Sequence, residues 1–176
     1  MNSVDGMIEN IVAAMPSAML LLNVFISLCA FFFMILGIMK LVAVAKREGS
    51  ARPITPWMYL LSGALLWNFT ASVTTLLDTL YGPGTSTDNL LAYSPSDGMP
   101  EQSAQMLGML VMCVRLYGYF AVARGAMKIR NIGAGTAAAE GAGGSAMWHL
   151  FGGSLAINIV ATVNGIASFL GFGDVL

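Results

Sequence analysis

The sequence predicts an all-α, polytopic membrane protein of four transmembrane helices, readable as two tandem helical hairpins. Three observations predict it. Of 176 residues, 57% are hydrophobic and 10% are charged, whereas about a quarter of a soluble domain is charged. Four apolar stretches are each long enough to cross a hydrocarbon core of about 30 Å at about 1.5 Å of helix per residue. Seven of the eight Lys and Arg residues fall in two of the connections between those stretches, the distribution expected of cytoplasmic loops. The whole chain reads as one membrane domain. Its net charge of −1 gives no overall basic field, so no direct sequence-specific nucleic-acid binding is expected.

The spans fall at about 17–39, 57–80, 104–123 and 147–171. The first is the clearest, running from Leu20 to Met39 without a charge. No basic n-region precedes it, and "AMPSAM" stands before the apolar run, so the expectation is a retained anchor and not a cleaved signal. Cys29 and Cys113 both lie in apolar runs and read as small hydrophobes in helix packing. Lipidation at Cys29 is not expected, because Leu28 stands where a bacterial lipoprotein signal needs a small residue.

The connection 40–56 holds Lys40, Lys46, Arg47 and Arg52, and the connection 124–146 holds Arg124, Lys128 and Arg130. Both are predicted cytoplasmic. The loop 81–103 has three prolines and Asp88, Asp97 and Glu101, the start of the chain has Asp5 and Glu9, and the end has Asp174. All three segments are predicted outside, with the loop an irregular cap that includes a short interfacial turn at "DNLLAY". Trp57 and Trp148 stand at the cytoplasmic starts of the second and fourth spans, where amphipathic rings favour the headgroup level. The second cytoplasmic connection contains Gly133, Gly135 and Ala138 at the spacing of a dinucleotide fingerprint. That motif requires a preceding strand, and a membrane helix precedes it here, so a flexible Gly/Ala-rich linker is expected.

No enzyme constellation is present in the sequence. His149 is the single histidine and lies beside Trp148 at a membrane boundary, Glu48 and Glu140 read as solvated, and Asp78 sits about a turn from the outer end of the second span. No metal is expected, and no cofactor beyond a bound phospholipid. Packing features stand out instead, because helices in lipid associate through small residues and interhelical hydrogen bonds. Ala64, Asn68, Ser72, Thr75 and Thr79 form one stripe, Ser154, Asn158, Thr162, Gly165 and Ser168 a second, and Ala104, Gly108, Arg115 and Gly118 a third, all predicted to face protein or a wet cavity. Arg115 lies mid-span, where an arginine costs about 3 kcal/mol on insertion scales. Three uses are open to it: a bond to Asn68 and Thr75 within the chain, a contact to a lipid phosphate or a neighbouring subunit, or a water-filled pore. Arg115, Asn68, Thr75 and Asn158 are therefore the candidate lipid- or subunit-contact residues.

The two hairpins share an orientation, and "AVAKREG" at Ala43–Gly49 matches "AVARGAM" at Ala121–Met127, which suggests duplication. The layout of four spans, the basic turn "KLVAVAKREGSARP", the Pro/Gly/Ser-rich outer loop and the Gly/Ala-rich second turn resembles the TraQ family of IncI-type conjugative plasmids, similar to the DotE/IcmC and DotV proteins of type IVB (Dot/Icm) secretion systems. The resemblance implies a non-enzymatic subunit of a conjugation or secretion apparatus in the bacterial inner membrane, both termini periplasmic, forming a homo-oligomer with lipid and other subunits as partners. It implies no catalytic residues. Two alternatives are carried: a pilin-like subunit that polymerises into a conjugative pilus or protochannel with its basic turns facing the lumen, and a small solute transporter or channel.

Overall fold

The computed structural model describes residues 3–46, 52–84, 100–133 and 139–172. Among these the chain is all-helical, with α1 at Ser3–Ala45, α2 at Ile54–Trp67, α3 at Phe69–Tyr81, α4 at Glu101–Ile129, α5 at Ala142–Ile157 and α6 at Ile159–Phe169. Two helices are long and apolar enough to cross a membrane alone, Asn10–Ala45 and Gln102–Ile129. The pairs α2–α3 and α5–α6 pass only when each is taken together, because each is bent, by 91° and 88°. The second and fourth predicted spans are thus broken helices. The first and third extend beyond their predicted ends, so that Lys40 and the Arg124–Ile129 stretch belong to helices, not to loops. The "DNLLAY" turn and the middle of the Gly/Ala-rich linker lie outside the described residues. Gly133 does follow a helix, α4, with no strand before it among the described residues.

The breaks have a local cause. Asn68 and Asn158 each end one helix and begin the next with nearly the same backbone, φ −113° ψ 61° and φ −105° ψ 52°. Asparagine disfavours a helix interior because its side chain can compete for backbone partners, although neither side chain makes a capping bond to its following helix here. Each Asn carbonyl still accepts the first bond of the following helix, from Ser72 N and from Thr162 N. A break frees carbonyls that lipid cannot hydrate. Hydroxyls one turn further on take them up: Ser72 Oγ donates to Leu65 O, 2.9 Å, and Thr162 Oγ1 donates to Leu155 O, 2.9 Å.

The same repeat governs packing within each half. α2 runs antiparallel to α1, with Gly37 against Leu60 and Gly63 against Ala30 and Met34; α5 runs antiparallel to α4, with Gly125 against Leu150 and Gly153 against Gly118 and Val122. In sequence, Leu60, Gly63, Leu65, Asn68, Ala71, Val73 and Leu80 recur at identical spacing as Leu150, Gly153, Leu155, Asn158, Ala161, Val163 and Leu170. The two halves, α1–α3 and α4–α6, therefore repeat one structural unit. The register of this packing pairs Gly37 with Gly125, which differs from the short match between Ala43–Gly49 and Ala121–Met127.

The halves join side by side. Ser62 Oγ donates to Ala126 O, 2.6 Å, and Thr55 Oγ1 donates to Gly133 O, bonds that run α4 antiparallel to α2 and hence parallel to α1. At the far end the Tyr81 hydroxyl meets Thr162 Oγ1 at 2.6 Å, tying α3 to α6. Ile26, Ala30, Phe33, Leu66, Phe69, Val73, Tyr119, Val122, Ala126 and Ile157 form the core between them. On the outer face of α1, Leu20, Leu21, Val24, Phe25, Leu28, Phe31 and Phe32 are all exposed. A helix this apolar on its open face suits lipid.

Candidate functional site

Arg115 lies one turn before Gly118 on α4, and a Cβ at Gly118 would stand 2.7 Å from Ile157 N. That contact sets the arginine at about the level where α5 breaks at Asn158. Arg115 is 4% exposed and Asn158 is 7% exposed. The long helix carries the charge into the middle of the bundle, and the small residue after it lets α5 approach and cover it. Arg115 Nε is buried and has no hydrogen-bond partner among the described residues.

The predicted intrachain partners are elsewhere in character. Asn68 and Thr75 are exposed, and the Thr75 hydroxyl donates to Ala71 O at 2.9 Å. Of the predicted stripes, the third is enclosed, with Ala104, Arg115 and Gly118 buried and Gly108 half-buried. In the second, Ser154 and Asn158 are buried, whereas Gly165 and Ser168 beyond the break are exposed. The first faces outward, since Ala64, Asn68, Thr75 and Thr79 are exposed. That stripe follows the phase of one straight helix, whereas in the bent pair Ser62, Gly63 and Leu66 are buried before the break and Phe69, Val73 and Leu77 after it. Under the first break lies an apolar cavity of about 110 Å³, bounded by Leu65, Phe69, Leu76, Val122 and Leu150.

The basic residues gather at one end of the bundle, because α1 and α4 run parallel. Lys40 Nζ sits 5.1 Å from the centre of the Tyr59 ring, and Arg130 Cζ sits 4.3 Å from that of Phe33. Arg130 Nε is also buried without a hydrogen-bond partner among the described residues. Lys128 Nζ donates to Ser145 Oγ, 2.6 Å. Lys46, Arg52 and Arg124 are exposed, and Arg47 lies outside the described residues. Trp57 and Trp148 are exposed at the starts of α2 and α5, in keeping with interfacial rings. Cys29 is half-buried and Cys113 exposed, so only the former has a packing role within the chain.

Sequence reasoning placed Ser72, Thr162 and Gly118 on packing stripes but missed the breaks that the two hydroxyls complete and the locking role of Gly37, Gly63, Gly125 and Gly153. The recurring Leu-x-x-Gly-x-Leu-x-x-Asn-x-x-Ala-x-Val spacing was the signal for the breaks and for Gly63 and Gly153. No group of three or more His, Cys, Asp or Glu side chains comes together to hold a metal among the described residues. The chain matches no protein-family model, no curated protein and no solved structure.

Proposed function

We propose that the chain is a non-enzymatic inner-membrane subunit of a type IVB conjugation or secretion apparatus, acting through helix packing and assembly with other subunits. The observation that supports this reading is the repeated helical unit whose open α1 face is apolar from Leu20 to Phe32, a surface fitted to lipid and to neighbouring helices. The transfer apparatus itself comes from the resemblance in layout. Both basic ends face the cytoplasm and both termini the periplasm. Deleting the gene in its native host should abolish transfer of DNA or protein between cells while the membrane stays impermeable; undiminished transfer sinks the reading.

A second reading is a small solute transporter. Helices broken at corresponding positions of two repeats are where membrane transporters build their binding sites, and Asn68 and Asn158 are such a pair. Solute flux into liposomes holding this protein alone supports that reading, and tight liposomes exclude it.

A further inference from the structure

Lys128, Ser145 and His149 meet where α4 ends and α5 begins. Lys128 Nζ donates to Ser145 Oγ at 2.6 Å and lies 3.5 Å from His149 Nε2. His149 Nδ1 donates to Ser145 O, 2.7 Å, which holds the ring in place and turns Nε2 toward the ammonium. All three side chains are half-buried. Among the described residues the side-chain partners of Lys128 are thus neutral, and no carboxylate balances its charge. A lysine ammonium has three hydrogens, and a hydroxyl that accepts a bond keeps its own hydrogen to donate. The cluster therefore still has donors to offer. Gly141, the N-cap of α5, has no side chain to cap the helix, so the first-turn N–H groups receive no bond from a cap side chain at the same end. Arg124, one turn before Lys128, and Trp148, beside His149, are exposed.

The first half shows the same positions closed. Lys40 corresponds to Lys128 in the glycine-locked register, and it lies over the ring of Tyr59, which corresponds to His149. Thr55, which corresponds to Ser145, gives its hydroxyl to Gly133 O. The packing repeats in both halves, but where the first has an aromatic face and a hydroxyl donated to a backbone carbonyl, the second has an imidazole and a hydroxyl that accepts from the lysine.

We propose that Lys128 and Ser145, held in place by His149, form a phosphate-binding site at the membrane–water boundary, suited to the phosphomonoester headgroup of an anionic lipid or to free phosphate. A compact oxyanion with several acceptor lone pairs satisfies a donor-rich, acid-free cluster, and basic pockets between membrane helices near the headgroup level are where anionic lipids are held. The site does not depend on membership of a transfer apparatus.

The test uses the full chain in mild detergent. Native mass spectrometry with phosphatidic acid, and with diacylglycerol of the same acyl chains, measures the contribution of the phosphate. Wild type should retain phosphatidic acid over diacylglycerol by about tenfold or more, the scale of a charge-assisted contact. Lys128→Ala should lose that preference, His149→Ala and Ser145→Ala should weaken it, Lys128→Arg should keep most of it, and Lys40→Ala should keep all of it. Circular dichroism reports the fold of each variant; if Lys128→Ala loses helix, the Ser145 and His149 variants carry the comparison. Competition by inorganic phosphate assigns the site to the free ion, and retention of phosphatidic acid against it assigns the lipid. No wild-type preference, a preference that survives in the folded variants, or an equal loss in Lys40→Ala overturns the proposal.

Discussion

Arg115 is a charge enclosed by its own chain at mid-span, with Nε unpartnered among the described residues. A buried charge carries a desolvation cost, and even a complete buried ion pair is often replaced by apolar side chains without loss, or with a gain of about 1–4 kcal/mol. Arg115→Met should therefore insert normally and unfold at equal or higher denaturant, while the activity that retains so expensive a residue falls. Unfolding measured in detergent checks this; a loss of more than about 2 kcal/mol would reveal a buried partner for the guanidinium. Burial also bears on which use of the arginine survives. A residue 4% exposed presents little surface to a neighbouring subunit or lipid unless the helices part. The arginine itself was legible in the sequence because its neighbours are apolar on both sides. Its surroundings were not: depth matching along straight helices pointed to Asn68, and the break at Asn68 removes the straight helix on which that count relied.

At the scale of elements, the glycines decide how closely each hairpin can pack. A Cβ at Gly153 would meet Val122 Cγ2 at 2.7 Å, Gly118 O at 2.9 Å and Val122 N at 2.9 Å, whereas one at Gly152 meets nothing within 4 Å. Backbone atoms cannot step aside as a side chain can, so Gly153→Ala and Gly118→Ala should each cost about 1–3 kcal/mol by overpacking. Gly152→Ala should be neutral or gain up to about 1 kcal/mol from helix propensity. Thermal unfolding of the three variants checks the order; equal effects at 152 and 153 would refute the interlock. The hydroxyls at the breaks permit a second comparison. Thr162→Ala leaves Leu155 O without its side-chain donor and removes the contact to the Tyr81 hydroxyl, and should cost about 0.5–2 kcal/mol, the range of polar contacts between membrane helices. Thr79→Ala removes an exposed hydroxyl bonded only to the preceding turn at Thr75 O and should change stability by less than about 0.5 kcal/mol. Element type and order were readable from apolar length. The bends were not, because one Asn within an apolar run of more than 20 residues hardly alters mean hydropathy, and only comparison of the two halves marks it.

At the scale of the whole molecule, the packing gathers the basic connections at one end of the bundle, the arrangement that the charge pattern requires of a single cytoplasmic side. Seven basic residues lie in or beside two connections, and the bonds from Thr55 to Gly133 and from Ser62 to Ala126 bring both of those ends to the same end of the bundle. α2 has 14 residues and α5 has 16, about 21 and 24 Å of helix, so neither alone crosses a core of about 30 Å. If each bent pair is one span, the far side is reached through α3 and α6. Because α4 starts again parallel to α1, the segment that joins α3 to α4 has to return to the side where α1 begins. The bond between Tyr81 and Thr162 holds α6 with α3, so α6 follows α3. With Cys29 and Cys113 replaced by alanine, a membrane-impermeant maleimide applied to intact cells should label Ser96→Cys and Ser168→Cys. It should leave Ser50→Cys and Glu140→Cys untouched until the cells are opened. Labelling of Glu140→Cys in intact cells would invert the orientation, since the basic ends would then be outside against the usual placement of Lys and Arg. Protection of Ser168→Cys alone would make α5–α6 a re-entrant pair, and the chain would then end on the side of its basic turns despite the link between α3 and α6.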